Sequence, residues 1–173
     1  MSATKSQEAS SPASPFRYDV FLSFKGPDTS NSFIDHLFAA LNHAGFHTFR
    51  DADLLEVRDY DPEKVIRESR MSIIVLSNNY ARSAWCLEEL VMILKLRTFG
   101  HIVVPIFYYV NRSEVRKQIG SFEEAFMIHE ERIEFETDEL VKEKLKDMLR
   151  KWRAALKEVA NLAGMVIPNQ ADG

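Results

Sequence analysis

The chain has 173 residues, 46% of them hydrophobic and 28% charged, with only 6 Gly and 6 Pro. This composition fits one compact globular domain and excludes collagen-like, low-complexity and multidomain architectures. Lys and Arg number 22 against 26 Asp and Glu, a formal charge of −4, so no overall positive field is available to hold nucleic acid or an anionic membrane, and a phosphate-bearing ligand has to be gripped locally.

Residues 1–15 (MSATKSQEASSPASP) offer little to bury and are expected to form a mobile arm, with the domain over 16–164 and a tail over 165–173. Tyr18 to Phe24, Met71 to Ser77 and Ile102 to Val110 are short, almost continuously apolar runs, as expected of strands buried on both faces of a parallel sheet. Phe46 to Arg50 reads as a further strand after Gly45, a helix-terminating residue. Between these runs the spacing predicts helices over Ser32 to Ala44, Asp61 to Ser69 with Pro62 in the first turn, and Ala84 to Leu96. A helix from Ser121 to Glu131 follows. A long amphipathic helix runs from about Asp138 to Leu162, burying Leu145, Leu149, Trp152, Leu156 and Val159. Pro105 argues against a central place for its strand unless it stands near the start, and a short fifth strand is expected over Met165 to Ile167. Strand and helix alternate as in an α/β domain with right-handed crossovers.

The single cysteine, Cys86, has no internal partner for a disulfide, which suits a reducing, cytoplasmic compartment. The longest apolar run is interrupted by Pro105 and falls far short of the roughly 20 residues that span a bilayer, so no membrane partner is expected. The N-terminus has no apolar stretch of signal-peptide type. The five histidines show no metal spacing.

An open parallel sheet binds ligands beyond the carboxyl ends of its strands. The first such loop, Ser23-Phe24-Lys25-Gly26-Pro27-Asp28-Thr29, combines a point charge at Lys25, close backbone approach at Gly26 and helix-capping chemistry at Asp28 or Thr29. Ordinary turn and cap chemistry explains the same residues. In Ser83-Ala84-Trp85-Cys86-Leu87-Glu88-Glu89-Leu90, Ser83 is the expected N-cap. With Trp85 at 0° and about 100° per residue, the apolar side chains fall between about 80° and 200°, Glu88 near 300° in solvent, and Glu89 near 40° beside Trp85. Glu89 is thus the carboxylate expected to lose water next to an aromatic ring, which raises its pKa and suits acid–base or charge-stabilising work. Alternatively, both glutamates simply favour the positive end of the helix dipole. Arg112, Arg116 and Lys117 would give a small positive patch or a protein contact after the fourth strand.

Five ordered blocks, YDVFLSFKGPDT, HTFRD, SNNYARSAWCLEEL, VVPIFYYVNRSEVRKQIGSFEEAF and WRAALKEVANLAG, resemble plant-type Toll/interleukin-1 receptor (TIR) domains from Tyr18 to Gly164. The resemblance implies a flavodoxin-like α/β fold, with a five-stranded parallel sheet flanked by helices on both faces. It implies a signalling module of plant innate immunity, cytoplasmic and also compatible with the nucleus. Such domains self-associate through the first helix, here around Asp35 and His36, and through helices near the C-terminus. Many cleave the nicotinamide–ribose bond of NAD⁺ or NADP⁺ without a cofactor or metal, in a pocket completed by a neighbouring protomer. Carried onto this chain, the family pattern makes Glu89 the catalytic residue and places Phe24, Lys25, Gly26, Arg50, Asp51, Ser77 and Trp85 at the substrate. The alternative is a catalytically weak interaction module, acting as adaptor or decoy through TIR–TIR contacts. Several positions depart from the family pattern: Lys25 stands where Arg is usual, and Ser30 stands where Arg follows the G-x-D-T turn. Val57 stands near a usual glycine in the Asp51 to Pro62 loop, and Asn111-Arg112 replaces Asp-Pro, which is expected to loosen that turn.

Overall fold

The computed structural model describes residues 16–50 and 60–168, apart from the side chains of 27–32. The 1–15 arm, Asp51 with the loop to residue 59, the side chains of Asp28, Thr29 and Ser30, and residues 169–173 lie outside that description.

Five strands form one parallel sheet: β1 Tyr18–Ser23, β2 Thr48–Arg50, β3 Ser69–Leu76, β4 Ile102–Tyr108 and β5 Met165–Ile167, in the order β2-β1-β3-β4-β5. Every neighbouring pair is parallel, as in the flavodoxin-like fold that the family resemblance implied. The helices are α1 Gly26–His43, α2 Pro62–Arg67, α3 Ala84–Arg97, α4 Arg112–Lys117, α5 Ser121–Glu134 and α6 Glu139–Val159, with a 3₁₀ turn at Tyr80–Arg82. β5 lies beyond residue 164, where the sequence reading ended the domain, and is part of the sheet.

Side chains alternate across a strand, and directly paired residues of a parallel sheet share a face. Val20, Leu22, Ile73, Val75 and Ile106 therefore point one way, where α1 covers them through Ile34, Phe33, Leu37 and Leu41. Phe21, Ile74, Leu76 and Phe107 point the other way, into a larger core. That core draws Ile66 from α2, Leu87, Leu90 and Ile93 from α3, Phe122 and Phe126 from α5, and Leu156 from α6. Leu145 and Leu149 of α6 are half-buried, whereas Trp152, Leu156 and Val159 are buried.

Pro105 is the fourth residue of β4, opposite Ile74 of β3, and β5 begins to pair only at Ile106. The ring thus stands just before the strand acquires its second neighbour, so an internal β4 tolerates the proline. The chain returns to β5 through Gly164, where a Cβ would stand 2.2 Å from the Pro105 carbonyl oxygen and 2.7 Å from its Cγ. Only glycine fits this approach.

Three expectations about α3 and the region after β4 are corrected. The Asn111-Arg112 turn is not loosened, because Asn111 and Glu114 form a capping box that starts α4. The Asn111 side chain accepts from Glu114 N at 2.9 Å, and Glu114 Oε1 accepts from Asn111 N at 2.9 Å. Arg112 leaves the expected positive patch: it donates to the Ala160 and Leu162 carbonyls at 2.9 and 2.6 Å and lies over the Phe107 ring. A cation at a helix C-terminus is favourable on dipole grounds too. Glu88, expected in solvent, is half-buried and accepts from Trp152 Nε1 at 2.6 Å, because α6 covers that flank of α3.

Gly164→Ala is expected to destabilise by about 1–3 kcal/mol through overpacking against Pro105, seen as a Tm several degrees lower in thermal unfolding. Acid should destabilise the fold as well. His129 is buried with Nε2 2.8 Å from the Ala81 carbonyl, and His101 Nε2 lies 2.7 Å from Ser72 Oγ. Burial is the main cause that holds both imidazoles below their ordinary range. The unfolded chain then binds protons more readily, so this stability is present above the unfolded value of about 6.5 and is lost as pH falls through the lower folded values. Tm should drop between about pH 7.5 and 5.5, and His129→Gln should flatten part of that slope.

Candidate functional site

Ser83 caps α3 by accepting from Cys86 N at 3.1 Å, as its residue type and position foretold. This sets the rotation of the helix, sending Cys86, Leu87 and Leu90 into the core. Glu89, one turn beyond Trp85, is only 3% exposed, deeper than the border position its helical angle suggested. The additional cover comes from β1 and Tyr60 rather than from α3 itself.

A buried carboxylate is tolerated where hydrogen-bond donors replace its lost water. Ser23, the last residue of β1, lies on the Phe21 face and donates to Glu89 Oε1 at 2.9 Å. Tyr60 donates to Glu89 Oε2 at 3.1 Å. Behind Ser23, the Tyr80 hydroxyl sits 2.8 Å from Ser23 Oγ and 3.1 Å from the Cys86 carbonyl. Tyr80 is fully buried, and burial first, then the charges of Cys86 and Glu89, push its phenol well above the ordinary tyrosine value. It therefore stays protonated and available as a donor at neutral pH. Cys86 Sγ lies 3.5 Å from the Phe24 carbonyl, which ties the start of α3 to the end of β1.

Aromatic rings floor this cluster. Phe21 stacks on Phe49 at 5.7 Å, Phe49 meets Tyr60 edge-on at 5.0 Å, and Tyr60 meets Trp85 edge-on at 6.0 Å. Trp85 is half-buried at the near end of the row.

The expected site residues divide between the two faces. Glu89 and Trp85 belong to the cluster just described, and the Phe24 carbonyl borders it, although the Phe24 ring packs with the α1 face. Lys25 occupies the N-cap position of α1 and Gly26 is its first residue. Arg50 is not brought to Glu89. Its partner in β1 is Leu22, so it points to the α1 face, where it pairs with Asp35 at 2.7 Å and lies 4.5 Å over the Phe38 ring. His36 is exposed beside Asp35 on α1. Ser77 is buried just beyond β3 and lines a depression of about 130 Å³ with Asn78, Asn79, Tyr108 and Tyr109. Asp51 lies outside the described residues. Among the described residues no group of three His, Cys, Asp or Glu side chains could hold a metal ion, and no helix is long and apolar enough to cross a membrane.

Sequence reasoning missed Ser23, Tyr60 and Tyr80 as parts of the site. A polar residue ending an apolar strand in phase with Phe21, and a tyrosine just ahead of the Ser83 cap, were the available signals for the first and third. Tyr60 is brought in only by tertiary packing.

Comparison with known proteins agrees with this architecture. The family model described as "TIR domain" matches residues 17–172. Disease resistance protein RPV1 of Vitis rotundifolia is 49% identical over 164 residues, 92% of this chain and 11% of that protein. TMV resistance protein N of Nicotiana glutinosa is 44% identical over 160 residues, 90% of this chain and 13% of that protein. The chain therefore spans only a small part of the length of these relatives. Among solved structures, the TIR domains of the activated Roq1 resistosome, which directly recognises the pathogen effector XopQ, superpose with a TM-score of 0.71 at 43% identity, covering 90% of this chain and 91% of that one. With a family model covering nearly its whole length, and relatives and a solved structure matched over nine tenths of it, the chain belongs to the TIR domain family.

Proposed function

We propose that this TIR domain is a signalling module of plant innate immunity that self-associates and cleaves NAD⁺ or NADP⁺ at the nicotinamide–ribose bond. The observation that carries this reading is the buried Glu89 carboxylate, held by the Ser23 and Tyr60 hydroxyls and flanked one turn earlier by Trp85. Nicotinamide leaves a cationic pyridinium glycoside as a neutral molecule, so the leaving group needs no strong acid. The reaction needs stabilisation of an oxocarbenium-like ribose and placement of its hydroxyls. An ionised Glu89 serves both needs, with water accepting the ribosyl carbon in hydrolysis. Trp85 offers a face to the cationic ring, a contact worth roughly 0.5–2 kcal/mol.

The phosphates fall to Lys25 and the backbone at the start of α1, because Arg50 is turned to Asp35 on the other face. Self-association is supported by the likeness to domains of a resistosome, and the names of the relatives support a role in disease resistance within plant cells. NAD⁺ or NADP⁺ enters as substrate, not as a resident cofactor.

The rival reading, an adaptor or decoy working through TIR–TIR contacts, gains some weight from Arg50 being engaged elsewhere. NAD⁺ consumption by concentrated or artificially clustered protein separates the two. Clustered wild type should consume NAD⁺ faster than dilute protein, with Glu89→Ala and the shape-preserving Glu89→Gln slower by about 100-fold or more, the scale of losing a charge-stabilising group. Equal rates for wild type and both variants would leave only the interaction module.

A further inference from the structure

We infer that Ser23, aimed by Tyr80, is a positioning residue that fixes Glu89 Oε1 and leaves Oε2 as the oxygen that meets the substrate. This inference rests on the nucleosidase reading and assigns the two carboxylate oxygens different tasks.

The asymmetry lies in the two donors found among the described residues. Ser23 is 1% exposed and Tyr80 fully buried, so an incoming substrate cannot replace either one. Ser23 has a single proton, which it gives to Glu89 Oε1 at 2.9 Å. Its oxygen accepts from the Tyr80 hydroxyl at 2.8 Å, and that hydroxyl's one proton is shared with the Cys86 carbonyl at 3.1 Å. The chain of contacts therefore starts on the α3 backbone and returns to an α3 side chain through β1. This fixes the carboxylate plane relative to the sheet. Tyr60, by contrast, is half-buried and donates to Oε2 at 3.1 Å. A ribose hydroxyl reaching Oε2 exchanges one hydroxyl donor for another, so the hydrogen-bond count is preserved while the Ser23 side stays fixed.

Among the described residues, Tyr60 ahead of α2 donates to this carboxylate and Tyr80 from the 3₁₀ turn lies behind Ser23, its phenol raised in part by the Glu89 charge, with Lys25 two residues beyond Ser23 at the N-cap of α1. A hydroxyl donated to the ionised carboxylate favours that form. Removing the Ser23 hydroxyl should therefore move the ionisation of Glu89 to higher pH, a change that a merely space-filling serine would not produce.

The test uses the clustered 173-residue chain, with NAD⁺ as the probe. Steady-state kinetics are followed across pH, and the Glu89 carboxyl carbon is titrated by ¹³C NMR, assigned by its loss in Glu89→Gln. For Ser23→Ala the expected result is kcat lower by about 10-fold, KM within about 2-fold, and the acid limb and the carboxyl titration both higher by about one pH unit. Tyr80→Phe should shift both in the same direction by less, and adding it to Ser23→Ala should change little further, because both act through one hydroxyl. Ser23→Thr should return kcat and the acid limb toward wild type, and Tyr60→Phe should lower kcat as well, by less than Ser23→Ala does. An unshifted acid limb and wild-type kcat in Ser23→Ala, alongside an inactive Glu89→Gln, would overturn the positioning role and leave the nucleosidase intact. A Tyr60→Phe defect as large as that of Ser23→Ala would overturn the division between the oxygens. Should Glu89→Gln match wild type, the nucleosidase reading fails by itself. The NMR titration then still decides whether Ser23 holds the ionised carboxylate, and an unshifted titration ends that part too.

Discussion

The hydrogen bond from Ser23 to Glu89 joins the end of β1 to the helix that carries the site, and most of the surrounding structure serves to make it possible. A carboxylate at 3% exposure has lost most of its water, and without donors it would be several kcal/mol out of place. Ser23 supplies a donor because the pleat puts every second residue of β1 on one face: Phe21 to the core, then Ser23 to Glu89. The Ser83 cap sets the phase of α3, so Glu89 arrives at the correct rotation. The two elements meet side chain to side chain, and the Cys86 thiol to the Phe24 carbonyl adds a second tie between them.

The same pleat keeps Arg50 away. Phe49 and Arg50 are neighbours in β2, yet Phe49 joins the aromatic row under Glu89 while Arg50 goes to Asp35 and Phe38 on α1. An exposed ion pair of this kind adds little stability, about 0–1 kcal/mol. Its effect is to direct a guanidinium toward the first helix, the surface that the TIR resemblance associates with self-association. A charge that the linear sequence offers to a nucleotide is thus held against the first helix by Asp35 and Phe38.

Strands and long helices were legible because their periodicities are strong and their partners few. β3 and β4 are continuous apolar runs, α6 repeats its apolar face over five turns, and Met165–Ile167 could be recognised as a short fifth strand. Glu89 was legible for the same reason, since a helical angle beside Trp85 needs no tertiary knowledge. Glu88 was misplaced because its neighbour Trp152 lies 64 residues away, a contact that no local pattern encodes. α4 was read as a turn because Arg112–Lys117, with Val115 as its one apolar residue, is too short to carry an amphipathic signal, and only the Asn111–Glu114 spacing announced it. Arg50 was carried over from the family pattern, and the alternation Phe49, Arg50 separates its side chain from the Phe21 face.

Charge placement narrows how a dinucleotide can be held. Of the cations at the carboxyl ends of the strands, Arg50 is engaged by Asp35 and Arg112 by the carbonyls that end α6. Arg112 there closes the last turn of α6 onto α4, just before the chain passes Pro105 at Gly164 to form β5. Its charge is spent on the fold, and the contact explains why a turn without the family's proline remains ordered. Lys25 remains at the N-cap of the first helix, where helix-terminal N–H groups add to a point charge that lacks the planar fork of arginine. Among the described residues, a lysine with a helix N-terminus is a modest grip for a pyrophosphate. In the proposed NAD⁺-cleaving role, ring contacts at Trp85 and hydroxyl contacts at Glu89 would supply the rest of the affinity on one protomer. A site built that way would gain most from a second surface that brings further charge, which would make the proposed activity depend on association.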